Sequence, residues 1–452
     1  MLESRNFRRW FAVAAFFTVL AGDAWRYSVS WIGFTIVVLL ISGTAITLLL
    51  RMRDRWTFNR LPYPMLAFVA LAVLSIAWSD YRVWTAAAAL TTIMTVGAAT
   101  FFAIALTRDE LLWALGTALR IILAISLLFE LFIASIIRHP ILPFWTDYTG
   151  LHIYPADYWS RDLLFTGQKI QGIMGNSNLL GFIALLAIIV FAIQLAAGAV
   201  RRGWGIFWLV VAAACIGLTR SATVTVAIAV VAVVAVVLLA IRRTRTRRAR
   251  WSVYGVAIAV AAGAAAVIVV FQTQVLELLG KSDSLTGRTG IWSSVAALAS
   301  QRPVAGWGWI SYWVPFISPF NDPKYHFVIH GVQYLQAHDA WLDVLFQLGV
   351  IGLVVFIAFA LSTLVRAWIL AVAQPEAGTV GQARRASMQE TGGLPDARSQ
   401  RRSPLTLLPI LILVALLVQS LTESRLLIEY GMLLLSLIAV SSKRELLELS
   451  AR

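Results

Sequence analysis

Residues 222–250 read ATVTVAIAVVAVVAVVLLAIRRTRTRRAR. No residue from 222 to 241 carries a charge, and six arginines then fall within positions 242–250. A helix of about 20 apolar residues crosses the ~30 Å hydrocarbon core of a bilayer. In that solvent only a helix or a closed barrel satisfies its own backbone hydrogen bonds. The arginine cluster marks the cytoplasmic end of the span, because short cytoplasmic loops collect basic residues. This one stretch already predicts a helical membrane protein with a fixed orientation.

The rest of the chain repeats the pattern. Of 452 residues 60% are hydrophobic and 13% charged, with a mean hydropathy of +0.81. A soluble domain of this length would carry roughly twice that charged fraction. Twelve apolar runs fall near 10–22, 31–50, 62–78, 84–106, 112–137, 172–197, 204–219, 221–241, 251–271, 339–365, 405–421 and 426–441. The expected fold class is therefore an all-α, polytopic integral membrane protein of about 12 transmembrane helices. Spans 1–9 occupy 1–271, with an outer loop at 138–171. A large outer loop follows at 272–338, then span 10 at 339–365. Residues 366–404 read as a polar, aperiodic cytoplasmic linker, and 405–452 hold the last two spans and a tail. Arg5, Arg8 and Arg9 before an apolar run and "LAGDA" resemble a signal peptide, but the spans that follow favour a retained first helix.

With the N-terminus placed inside, about two thirds of the 37 Lys and Arg residues fall in inside segments, although the outer loops are longer in sum. Both termini are then cytoplasmic. The net charge of +15 follows this topology and calls for membrane lipids as neighbours, not nucleic acid. The one cysteine, Cys215, lies in an apolar run and says nothing about redox compartment. Arg120 is expected at the cytoplasmic end of the fifth span, with residues 109–119 along the interface.

Polar residues at membrane depth are costly and mark function or pairing. On the outer face they gather: Asp80, Lys169, Arg220, Arg288, His338, Asp339, Glu423 and Arg425. Each has a plain alternative. Arg220, on a tight turn, can snorkel to headgroups. Glu423 and Arg425 can form a structural ion pair. Asp343 can pair with an arginine between helices. Asn178, in "GNSNLLG", can cap the sixth span or bond to a neighbouring helix. His326 and His330, four apart in "YHFVIHG", offer a metal at most two ligands.

Arginines at an outer interface beside a histidine suit a sugar donor with a lipid-linked diphosphate leaving group. Arg220 and Arg288 would bind the diphosphate through bidentate, charge-assisted hydrogen bonds. His338 would take the acceptor's proton, since imidazoles exchange protons near neutral pH. Asp339 or Asp343 would orient its ring.

The segments "SIAWSDYRVWTAAAAL", "KIQGIMGNSNLLG", "LTRSATV", "LTGRTGIW" with "QRPVAGWGW", "AHDAWLDVLFQLGVIGL" and "LTESRL" occur in this order along nearly the whole chain. In that order and spacing the sequence resembles the O-antigen ligase-like family of bacterial membrane glycosyltransferases, which includes O-antigen polymerases. The resemblance implies a twelve-span GT-C-type fold in the cytoplasmic membrane. It implies an outward-facing site that moves a glycan from a polyprenyl-diphosphate carrier to a glycan, lipid or protein acceptor. The transfer would invert the anomeric carbon without metal or other cofactor. It assigns the essential roles to Arg220, Arg288 and His338, with Lys169, Asn178, Asp339, Glu423 and Arg425 toward substrate. Two positions depart from the family: Lys169 stands where arginine is frequent, and Asp339 where asparagine or serine is.

A flippase or transporter for lipid-linked glycans is the competing class. It would line a central cavity with charge, whereas these spans are nearly free of it, and no inverted repeat is visible. A structural or sensor role leaves the large outer loop without a purpose.

Overall fold

The computed structural model describes residues 4–150, 152–270, 288–325, 327–329, 332–372 and 403–450. Their helices are α1 (Arg5–Leu20), α2 (Gly22–Arg51), α3 (Tyr63–Leu74), α4 (Arg82–Ala105), α5 (Arg108–Phe132), α6 (Ser177–Ala196), α7 (Arg202–Thr219), α8 (Ala222–Arg243) and α9 (Arg247–Val270). After these come α10 (Arg288–Gln301), α11 (Ala340–Val372), α12 (Leu408–Ser420) and α13 (Glu429–Ser450). Strands β1 (Val328–Ile329) and β2 (Val332–Gln333) form a small antiparallel pair in the segment between α10 and α11.

Each of the twelve apolar runs coincides with a helix. By length and composition α2, α4, α5, α6, α7, α8 and α11 suffice to cross a membrane, and 63–77 and 404–420 are shorter apolar helices. The protein is thus a polytopic helical membrane protein. α1 is packed into the common core through Ala12, Ala15 and Phe16. The helix ends follow local chemistry. Thr107 and Glu110 form a reciprocal capping box at the start of α5, and Arg5 Nε donates to Glu110 at 2.6 Å. The acidic pair there needs no further role.

Two expectations change. α5 is one helix from Arg108, so Arg120 sits in its middle and not at its end; its guanidinium donates to Gln194 and lies 4.7 Å from the Phe191 ring. Span 10 extends to Val372, seven residues beyond its expected end, and residues 373–402 of the expected linker lie outside the described residues.

α11 carries a break that positions the segment joining α10 to α11. Gly349 adopts φ 64 and ψ −166, a conformation essentially confined to glycine. A Cβ there would lie 2.2 Å from the Val304 carbonyl oxygen. The break frees backbone groups inside an apolar protein, where unpaired ones are expensive. The loop segment 303–308 takes them up. Val350 N donates to Pro303 O at 2.8 Å, while Trp307 N and Gly308 N donate to Phe346 O and Gln347 O at 3.1 and 2.8 Å. The "PVAGWGW" stretch is therefore a plug docked into a broken helix.

Above it the loop has its own aromatic core of Ile291, Val295, Trp313, Phe320, Phe327 and Phe346. Trp313 meets Phe327 edge-on at 4.7 Å. The turn between α3 and α4 anchors this unit: Trp78 Nε1 donates to Ala305 O, Tyr81 Oη to Gly308 O, and Arg302 to Asp80 at 2.6 Å. Asp80 is thus a tether for the loop.

Candidate functional site

Three chain segments far apart in sequence converge at the N-terminal end of α11. Arg288 begins α10, His338 precedes α11, and Glu423 lies on the turn after α12. Glu423 joins them. Its Oε2 lies 2.9 Å from His338 Nδ1, and its Oε1 lies 3.3 Å from Arg288 Nη2. Gln336 completes the arrangement, donating from Nε2 to Glu423 Oε2 at 2.9 Å and accepting from Ser424 N at 2.9 Å. Glu423 is buried, whereas the His338 and Arg288 side chains keep 14% and 13% of their surface exposed, so a substrate can reach both.

Burial pushes the Glu423 carboxyl upward. The His338 ring, then the Arg288 and Arg425 charges, outweigh that push and hold it below its ordinary value. An ionised carboxylate facing Nδ1 favours a proton on that nitrogen and leaves Nε2 as the basic one. The tautomer is thus assigned from the hydrogen bond. His338 itself has φ 53, and the Tyr334 ring packs edge-on at 5.2 Å.

The carboxylate against the ring is Glu423, not Asp339 or Asp343. Asp339 Oδ1 accepts from Trp341 N and Leu342 N, both at 2.9 Å, and so caps α11. Among the described residues Asp343 pairs with no arginine; it accepts from the Trp313 indole at 2.8 Å, the Gln347 amide at 2.9 Å and Ala337 N at 3.1 Å. Asp339→Ala should cost about 1 kcal/mol of stability, the usual value of a helix N-cap. It should keep the chemistry of His338, which thermal unfolding and a transfer assay on one preparation would check.

Arg425 and Glu423 do not form the ion pair that was one of the two readings of this turn. Arg425 donates to Asp23 at 3.1 Å and Glu429 at 2.7 Å, and Arg26 donates to the same two carboxylates at 2.5 Å each. Burial acts to release the Arg425 proton, but Asp23 and Glu429 overcome it and hold the proton more tightly than usual. This buried four-member network ties α2 to the segment carrying Glu423.

Arg220 and Lys169 stand apart from the Glu423 cluster. Arg220, in the left-handed conformation at φ 46, ends α7, and a Cβ on Gly167 would lie 4.0 Å from its Nη2. Ile170 N donates to Leu218 O at 3.2 Å, which holds Lys169 beside the same turn. Both side chains are exposed, and among the described residues neither forms an ion pair or hydrogen bond. Asn178 bonds across to Ser221 Oγ at 2.7 Å, while Asn176 caps α6. Buried Glu130, which the sequence reading passed over, clamps the Lys169 segment by accepting from Gln171 N at 2.9 Å and Gly172 N at 2.6 Å. A carboxylate inside an apolar run was its signal. Gln336 had one too: Tyr334, Gln336 and His338 share the period-two spacing of extended chain. The His326 and His330 pair lies outside the described residues.

Fold and charge together define a polytopic membrane protein in which an arginine and a histidine share one buried carboxylate. In this protein, residues 205–357 match the family model described as O-antigen ligase, a stretch that holds Arg220, Arg288 and His338. The family resemblance drawn from the motifs is borne out there. The chain is also 30% identical over 80 residues to "Exopolysaccharide production protein ExoQ" of Rhizobium meliloti (strain 1021). That match spans 18% of this chain and 18% of the relative's own length.

Proposed function

We propose that the protein is a metal-independent, inverting glycosyltransferase of the O-antigen ligase kind. It would sit in a bacterial cytoplasmic membrane with twelve crossings, both termini inside and the site facing outward. The donor is a glycan on a polyprenyl diphosphate. His338 Nε2 takes the proton of an acceptor hydroxyl as that oxygen attacks the anomeric carbon. The carbon–oxygen bond to the diphosphate breaks, and the polyprenyl diphosphate leaves with the electron pair. Arg220 and Lys169, without other partners among the described residues, suit the ground-state diphosphate, and Arg288 suits the charge that develops on it. The observation that carries this reading is the Glu423 carboxylate on His338 Nδ1 at 2.9 Å, which frees Nε2 as base.

A second reading is polymerisation, with a growing polysaccharide as acceptor. The relative named for exopolysaccharide production favours it. Incubating purified protein with a polyprenyl-diphosphate glycan and candidate acceptors tests both. Release of free carrier with a glycosylated acceptor is the expected result. Movement of intact carrier across a vesicle wall without bond cleavage would return the protein to the flippase class.

A further inference from the structure

Asp343 and Gln347 are fully buried in the first turns of α11, and the chemistry assigned above uses neither. Polar side chains inside an apolar protein are costly unless their donors and acceptors are matched. The matching here leaves little freedom. Gln347 Oε1 accepts from Ile310 N and Ser311 N, both at 2.9 Å. Two backbone N–H groups on that atom fix the orientation of the amide. Its NH₂ must then point the other way, and it donates to Asp343 Oδ1 at 2.9 Å. The Trp313 indole donates to the same oxygen at 2.8 Å, and Ala337 N to Oδ2 at 3.1 Å. Asp343 thus meets a donor at both oxygens, a demand that an amide, with one accepting end, cannot satisfy.

The Ala337 contact is the one that reaches the site. Ala337 immediately precedes His338 and is itself fully buried. Its carbonyl oxygen accepts from the Trp292 indole at 3.0 Å. Trp292 lies one turn after Arg288 in α10, so the helix that begins with Arg288 also grips this residue. Ala337 is therefore held at its N–H by α11 and at its C=O by α10. His338 follows in the left-handed conformation, φ 53, which a residue with a Cβ keeps only where its surroundings dictate it. The Glu423 contact to Nδ1 at 2.9 Å aims Nε2 only while the backbone carrying the ring stays in place.

We propose that Asp343 is a positioning residue: through the Ala337 N–H it fixes the backbone from which His338 presents Nε2 to the acceptor hydroxyl. The proposal rests on the transferase reading and adds a residue to it. Asp343 acts through a peptide group, not through the imidazole, which Glu423 serves. Gln347 extends the mount to residues 310 and 311, just beyond the segment docked into the break of α11. One buried polar chain, from Ser311 through Gln347, Asp343 and Ala337 to Trp292, thus joins that docked segment to the histidine and to the helix of Arg288.

The test compares variants of the full-length protein in lipid vesicles, with glycan transfer expressed per folded molecule. In Asp343→Asn the amide oxygen turns to the two donors, Trp313 and Gln347, and the NH₂ then opposes the Ala337 N–H. kcat should fall about 10²-fold, the cost of a misplaced catalytic group, with KM little changed. Adding Gln347→Glu supplies an acceptor for that NH₂, turns the amide oxygen back to Ala337 and should restore most of kcat. Trp313→Phe removes a donor from the same carboxyl group but leaves the Ala337 bond. It should lower stability and keep the parent's kcat. Hydrogen exchange at the Ala337 amide, read by mass spectrometry, gives a second measure. It should quicken about tenfold in Asp343→Asn and far less in Trp313→Phe. Equal losses of kcat in those two variants, a Gln347→Glu addition that deepens the loss, or unchanged exchange at Ala337 would overturn the proposal. Exchange needs no turnover. A protein whose Ala337 amide responds in this way but which transfers no glycan would sink the transferase reading and leave the grip of Asp343 on the His338 backbone standing.

Discussion

Glu423→Gln lowers the rate of glycan transfer by ~10²–10⁴-fold, the range that general-base catalysis and its orienting carboxylate supply. Shape is conserved, so packing is not the cause. The carboxylate now accepts at His338 Nδ1 from 2.9 Å. An amide can place its NH₂ there, which repels an Nδ1–H and drives the proton to Nε2, the atom that must be empty. If the amide oxygen faces the ring instead, its NH₂ faces the Arg288 guanidinium, now 3.3 Å from a carboxylate oxygen. Either rotamer damages one of the two groups. The loss should appear in kcat with KM little changed, because the contact acts on the reacting proton and not on substrate binding. His338→Ala should lose as much, and the double variant little more, since the two residues act as a unit. A Glu423→Gln enzyme keeping half its turnover, or losses that multiply in the double variant, would remove Glu423 from the mechanism. Acid adds a signature. The folded-state value of Glu423 is depressed, so its contribution to stability is complete above the unfolded value near 4.5 and is lost as pH falls through the lower folded one. The Glu423 carboxyl therefore contributes no titration near neutral pH.

The membrane architecture was open to reading because two simple physical rules write it into the chain: apolar length and loop arginines. The expectation that His338, Arg288 and Glu423 share one face rests on the same loops. Their mutual contacts are not legible there, because 85 residues separate His338 from Glu423 and no local spacing reports a contact of that range. Asp339, adjacent to the histidine, drew the orienting role by proximity; helix geometry instead turns it onto the Trp341 and Leu342 amides. The break at Gly349 was hidden for a different reason. "LGVIGL" satisfies the apolar pattern of a continuous span, and glycine is common in such helices. Only the docked loop segment makes the break affordable. Arg26 pairs with Asp23, one turn back in α2, and with Glu429 near the other end of the chain, so local spacing reports only half of its network.

Arg425→Met should cost 3–5 kcal/mol of stability, the usual penalty for stranding a buried ionic partner. Asp23 and Glu429 each hold two arginine contacts; losing Arg425 leaves two carboxylates sharing one guanidinium. Arg26 cannot move to cover both more fully, because its guanidinium is also held 4.7 Å from the Trp31 and Phe34 rings. The natural relief is a second neutralisation. Arg425→Met with Glu429→Gln leaves one cation against Asp23 and should recover a large share of the loss, a coupling that a double-mutant cycle on denaturant unfolding measures directly. If the single variant is as stable as the parent, or the double variant is the sum of its parts, the network is not the fastener described here. Activity carries a separate reading. The network fixes the segment 424–427 that follows Glu423, so the single variant should lose transfer beyond what its unfolded fraction explains. The double variant should regain transfer in step with its stability, since charge balance rather than any one side chain holds that segment in place.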